Sequence, residues 1–149
     1  MAAAIGAVCG LVAITPASGY VGPMASIAIG IIGGVITYVA VYVRNRMIKI
    51  DDTLDVWAAH GIGGLTGAVL TGFFAEKAIN AAGNDGLLFG NPHQVLVQLL
   101  AVVATGVYSF GASYVILKLM AYRYPLRVSS SEEEAGLDMS VHGEAGYRF

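Results

Sequence analysis

From Met24 to Val43 the chain carries no charged side chain, and the apolar run stops at Arg44-Asn45-Arg46. A stretch of about 20 apolar residues is the length an α-helix needs to cross a bilayer. Three further stretches of the same kind are read at 1–22, 54–75 and 94–122, separated by the charges at 44–55 and 76–85 and followed by those beyond 118. The composition leaves little room for a soluble alternative. Charged residues make up 12% of the 149 positions and hydrophobic ones 56%, with mean hydropathy +0.70. A soluble domain carries about a quarter charged residues, whereas lipid accepts an apolar exterior. The expected architecture is an all-α, polytopic membrane bundle of four transmembrane helices. It has a membrane region over 1–122 and a tail over 123–149.

Several function classes drop out. The net charge of −2 gives nucleic acid nothing to bind. Cys9 is the one cysteine and sits in an apolar run, so no disulfide forms within the chain. His60, His93 and His142 fall at different depths of the expected topology and do not make a metal set. No Ser/His/Asp arrangement, phosphate-binding glycine loop or carboxylate pair stands out, so neither an enzyme nor a cofactor is expected.

The first stretch starts at Met1 without a basic flank, which argues against a signal peptide. It contains Thr15-Pro16, and proline removes a backbone donor and crowds the turn before it. Such a break is tolerated at membrane depth where protein or a watery cavity satisfies the freed groups. The abrupt start suggests a piece of a longer protein. Basic residues give the orientation. Arg44, Arg46 and Lys49 lie in one loop, and Lys118, Arg123 and Arg127 flank the tail, against Lys77 alone in the 76–93 loop. The positive-inside rule then puts the 44–53 loop and the tail in the cytoplasm. Three small-xxx-small steps (Gly6 and Gly10, Gly30 and Gly34, Gly63 and Gly67) point to close helix packing.

His60 is the informative position. An ionisable group within a span is costly and usually faces a bundle interior or an aqueous path. At helical spacing Val56, His60, Gly63 or Gly64, Gly67 and Thr71 form one stripe, bordering open space or another backbone. One reading makes His60 the lining of a path for a small polar solute, and the other a structural hydrogen-bond partner for a neighbouring helix. A neutral imidazole donates at one nitrogen and accepts at the other, which suits a small hydrogen-bonding solute. Asp51, Asp52 and Asp55 stand at the start of the same helix. Asp52 and Asp55 have capping-box spacing, and acids favour this end of the helix dipole. Asp55 is equally suited to tying the helix to a neighbouring loop or the tail.

The run Asp51-Asp52-Thr-Leu-Asp55-Val56-Trp57-Ala-Ala-His60-Gly61-Ile-Gly63-Gly64 resembles the tenth span of ammonium transporters of the Amt/Mep/Rh family. Ala13 to Val21 is similar to the end of that family's eighth span, and Gly90-Asn91-Pro92-His93-Gln94 to the start of its last. Leu126-Arg127-Val128, Glu132 to Glu134, Gly136-Leu137-Asp138 and His142-Gly143-Glu144 resemble the Amt-type tail. The resemblance covers essentially the whole chain. It implies the last four spans and cytoplasmic tail of an eleven-span, two-repeat fold that assembles as a homotrimer with one pore per subunit. It implies ammonium or ammonia as the solute and His60 as the second of two mid-pore histidines. Val56 would line the pore one turn nearer the cytoplasm, and Thr15 would lie beside the lumen. The first-half pore residues of the family have no counterpart in these residues. The alternative is a non-conducting fragment, or a regulatory segment whose tail (Glu132, Asp138, His142, Glu144, Tyr147) binds a PII-type signalling protein.

Overall fold

Pro16 decides how the first helix ends. In a computed structural model, which describes residues 2–48 and 51–146, helix α1 (Ala2–Ile14) gives way to a single tight turn over Thr15–Ala17. The Thr15 hydroxyl turns back to donate to the Leu11 carbonyl at 2.7 Å. Helix α2 (Pro23–Val43) starts on a proline, whose missing N–H would have had no partner in a first turn. The sequence places the end of this helix at Arg44. The helix instead runs on through wide π-type turns from Arg44 to Ile48. Charge does not break a helix backbone, and arginine is a good helix former. Arg44 is also buried, folded inward rather than out to solvent.

A turn over Asp51–Asp55 leads to a second wide-turn stretch, Trp57–Ile62, which continues directly into α3 (Gly63–Phe74). Helix α4 (His93–Arg123) follows Pro92, and the tail holds the short α5 (Ser130–Ala135). Helix thus occupies each of the four expected apolar stretches, and no strand occurs among the described residues. Two helical segments, Pro23–Ile48 and His93–Arg123, are long and apolar enough to cross a membrane. Lys49 and Tyr147 lie outside the described residues.

Contacts divide the chain into residues 1–106 and 107–149. In the first unit three stripes meet, each read at four-residue intervals: Cys9, Ala13 and Ala17 on the first segment, Ile29, Gly33 and Thr37 on α2, and Gly63, Gly67 and Thr71 on α3. All are buried. The small side chains are what let the backbones approach. A methyl group at Gly67 would strike the Ala13 carbonyl, and one at Gly33 would strike the Ala13 side chain. Of the expected small-residue steps, Gly63 and Gly67 make close contact, while Gly6 and Gly34 have open space beside them. In α2 the close approach belongs to Gly33, one turn from Thr37, whose hydroxyl is satisfied by the Gly33 carbonyl of its own helix.

The far end of this unit is tied by backbone bonds: Glu76 N–H donates to Tyr20 O at 2.9 Å, and Gly86 N–H to Ala75 O at 2.7 Å. In the second unit the Ser129 hydroxyl caps α5, and the Glu132 carboxylate accepts from the Ser129 N–H at 2.8 Å. The Ser129 hydroxyl also donates to the Glu132 carboxylate at 2.6 Å, and the two bonds from Ser129, hydroxyl first and backbone second, hold the Glu132 carboxyl below its ordinary pKa.

Candidate functional site

The helix bearing His60 starts from a turn that is anchored before it begins. The Asp52 carboxylate accepts from the Val56 N–H at 3.0 Å and the Trp57 N–H at 2.8 Å. These are orphan donors at a helix start, so the acid satisfies groups that have no partner within the helix. The capping is therefore by Asp52 onto residues four and five positions on. The reciprocal box between Asp52 and Asp55 does not form among the hydrogen bonds of the described residues. The bond to Trp57 is the main cause of a lowered Asp52 pKa, with Val56 and Arg44 adding to it against partial desolvation. The Asp55 carboxylate instead pairs with Arg44 at 2.7 Å, joining this turn to the end of α2. Asp51 is exposed.

Val56 and His60 then leave the turn on one side. Val56 is 49% exposed, and the His60 ring is exposed with no hydrogen-bond partner among the described residues. Gly61 and Gly64 beside it have nothing within 4 Å of where a side chain would begin. Gly63 and Gly67 turn the other way, against α1 and α2, and Thr71 is buried too. The single stripe read from regular spacing is thus two faces, one open and one packed. The wide turns of Trp57–Ile62 explain the split. Each π-type turn takes in one residue more than an α-turn, so phase counted at regular spacing slips across them.

Thr15 is exposed at the break after α1, with its hydroxyl already donated to Leu11. Its turn packs on α3, whereas Trp57–Ile62 packs on α1 and α2. Thr15 therefore belongs to a different stretch of the unit from Val56 and His60. Next to it lies a feature that spacing arguments miss: a cavity of about 280 Å³ lined by Pro16, Tyr20, Thr71, Asn84, Gln94 and Gln98 among others. Gln94 and Gln98, four apart on the first turns of an apolar helix, were the available signal for it.

The sequence profile of the Ammonium Transporter Family matches residues 1–147. The ammonium transporter of Bacillus subtilis is 45% identical over 148 residues, covering 99% of this chain and 37% of the relative. Ammonium transporter Amt1 of Archaeoglobus fulgidus is 46% identical over 142 residues, covering 95% of this chain and 36% of its own length. Among solved structures, Mep2 of Saccharomyces cerevisiae superposes with a TM-score of 0.77 at 32% identity, over 95% of this chain and 34% of that one. The chain spans about a third of the length of the relatives it matches. It belongs to the ammonium transporter family.

Proposed function

We propose that this chain forms the second-half wall of an ammonium path in a membrane transporter, with His60 as the residue that meets the solute. One observation carries the reading. An ionisable side chain in an apolar helical stretch stands exposed on this unit with no hydrogen-bond partner among the described residues, flanked by Gly61 and Gly64, which keep the space beside it open. A histidine left against hydrocarbon would be costly, so such a face calls for an aqueous or solute-bearing space. The relatives matched at 45% and 46% identity are ammonium transporters, which supplies the solute.

The chemistry follows from cost. Insertion scales charge about 2.5–3.5 kcal/mol for a charged side chain at the bilayer centre. Ammonia hydrogen-bonded to imidazole avoids most of that cost, because a neutral ring both donates and accepts. Val56, one turn closer to the Asp51–Asp55 turn, would line the same path with an apolar surface. Thr15 takes a place beside it only through the rest of the transporter. In this reading four helices cross the bilayer, the 44–53 loop and the tail are cytoplasmic, the parent assembles as a homotrimer, and the tail is where a PII-type signalling protein would bind.

The test is uptake by the transporter whose polypeptide carries these residues. His60→Ala and His60→Glu are expected to change the methylammonium uptake rate per inserted transporter by about tenfold, the scale of one lost hydrogen bond between neutral groups. Unchanged rate and selectivity in both variants would remove His60 from the path.

A further inference from the structure

Arg44 is the one charged side chain among the described residues that is buried, at 6% exposure, and the solute face does not include it. Its guanidinium reaches Asp52 Oδ2 at 3.1 Å and Asp55 Oδ1 at 2.7 Å. It also donates to the Asp52 main-chain carbonyl and to Asn45 Oδ1. Its Nε has no partner among the described residues. Both carboxylates belong to the turn from which Val56 and His60 depart. Asp52 holds the Val56 and Trp57 amides. Asp55 sits at φ 56, a left-handed conformation uncommon among non-glycine residues though more open to aspartate than to most, and its carbonyl accepts the Ala59 N–H at 2.8 Å. One cation therefore fixes two points of the turn, and with them the rotation of the first helical turn.

We propose that Arg44 is a positioning residue for the solute path: by bridging Asp52 and Asp55 it sets the phase at which Val56 and His60 leave the turn. The proposal rests on reading that face as a path wall. An arginine is required because a planar fork engages two carboxylates and a backbone carbonyl at once, whereas the compact ammonium of lysine is a point charge. A slip of one residue rotates an α-helix by roughly 100°, enough to take His60 off its face.

The experiment uses the full-length transporter carrying this chain, freed of its other cysteines and bearing Val56→Cys, with and without Arg44→Lys. The rate at which a polar thiol reagent modifies position 56 is measured in membranes. In the cysteine-free parent retaining Val56, uptake of ammonium and methylammonium is compared per inserted transporter for Arg44→Lys, Arg44→Met and His60→Ala. Arg44→Lys is expected to change the thiol rate about fivefold or more, and to shift the ammonium-to-methylammonium ratio about threefold, because the fork geometry is lost while the charge stays. Arg44→Met is expected to exceed both effects where it inserts; the lysine variant carries the test where it does not. A thiol rate and a selectivity ratio that stay put in Arg44→Lys overturn the proposal, including the case in which total flux falls only because less protein is inserted. Unchanged uptake in His60→Ala sinks the path reading instead, and the thiol rate still reports whether Arg44 sets the phase.

Discussion

Asp52 shows how one side chain serves two neighbours. Its carboxylate satisfies the first amides of the His60 helix and pairs with Arg44; the ion pair needs it ionised, and the amide bonds are stronger when it is. Its pKa in the folded chain lies below the ordinary aspartate value of 3.8. A carboxyl whose folded pKa is depressed contributes stability that is fully present above its unfolded value, about 3.9, and is lost as pH falls through the lower folded value. Trp57, the one tryptophan of the chain, donates its amide to this carboxylate, so its emission reports the change. An acid titration of Trp57 fluorescence is expected to show a transition below pH of about 3.9 that is missing in Asp52→Asn. A transition at or above the ordinary carboxylate value, or one that survives the substitution, would mean that Asp52 does not hold this turn. That an acid cluster caps the helix is legible from Asp51-Asp52 and Asp55 beside an apolar run. That Asp55 ties the helix to a neighbouring segment is one of the two readings its position allows, but that its partner is Arg44 is not legible, because the pairing depends on Arg44 turning inward at a helix end that charge alone would place in solvent.

At the scale of elements, the helices are legible because uninterrupted apolar length marks each one and Pro16, Pro23 and Pro92 stand at three of their ends, although the second runs on past Arg44. Their phase is less so. Counting at α-helical spacing joins His60 to Gly67, and the wide turns over Trp57–Ile62 separate them. Nothing local in Trp57-Ala-Ala-His60-Gly61-Ile marks a widened turn. The glycines likewise divide by what stands opposite, which a single chain's spacing does not reveal. Gly67→Ala would push a methyl group into the Ala13 carbonyl, and such overpacking costs about 1–3 kcal/mol. Gly64→Ala meets open space in this unit and is expected to be neutral or to stabilise by up to about 1 kcal/mol, since alanine holds a helix better than glycine. Unfolding in a denaturing detergent, followed for both variants, checks the contrast. Equal stabilities would contradict the packed and open assignment of the two faces. The cavity beside Pro16 is hidden from the sequence for a related reason. Its walls come from the α1 break, the end of α3, the 80s loop and the start of α4, and among its polar residues Gln94 and Gln98 are the pair that stands four apart on one helix.

For the molecule as a whole, the chain spans about a third of its relatives, and the proposed function makes the open face bearing Val56 and His60 one wall of a path. Family membership is carried by matches along residues 1–147, and it is legible from several separate motifs in order. The basic residues that suggest an orientation include Arg44, which proves to be paired and buried, so Arg46, Lys49 and the tail flank carry that expectation. The most direct measurement is an experimental structure of the full-length transporter in lipid. The expected result is a His60 ring bordering a narrow lumen, with Val56 on the same wall one turn closer to the Arg44–Asp52–Asp55 turn. A ring turned toward lipid, or one packed against protein with no lumen beside it, would contradict the account.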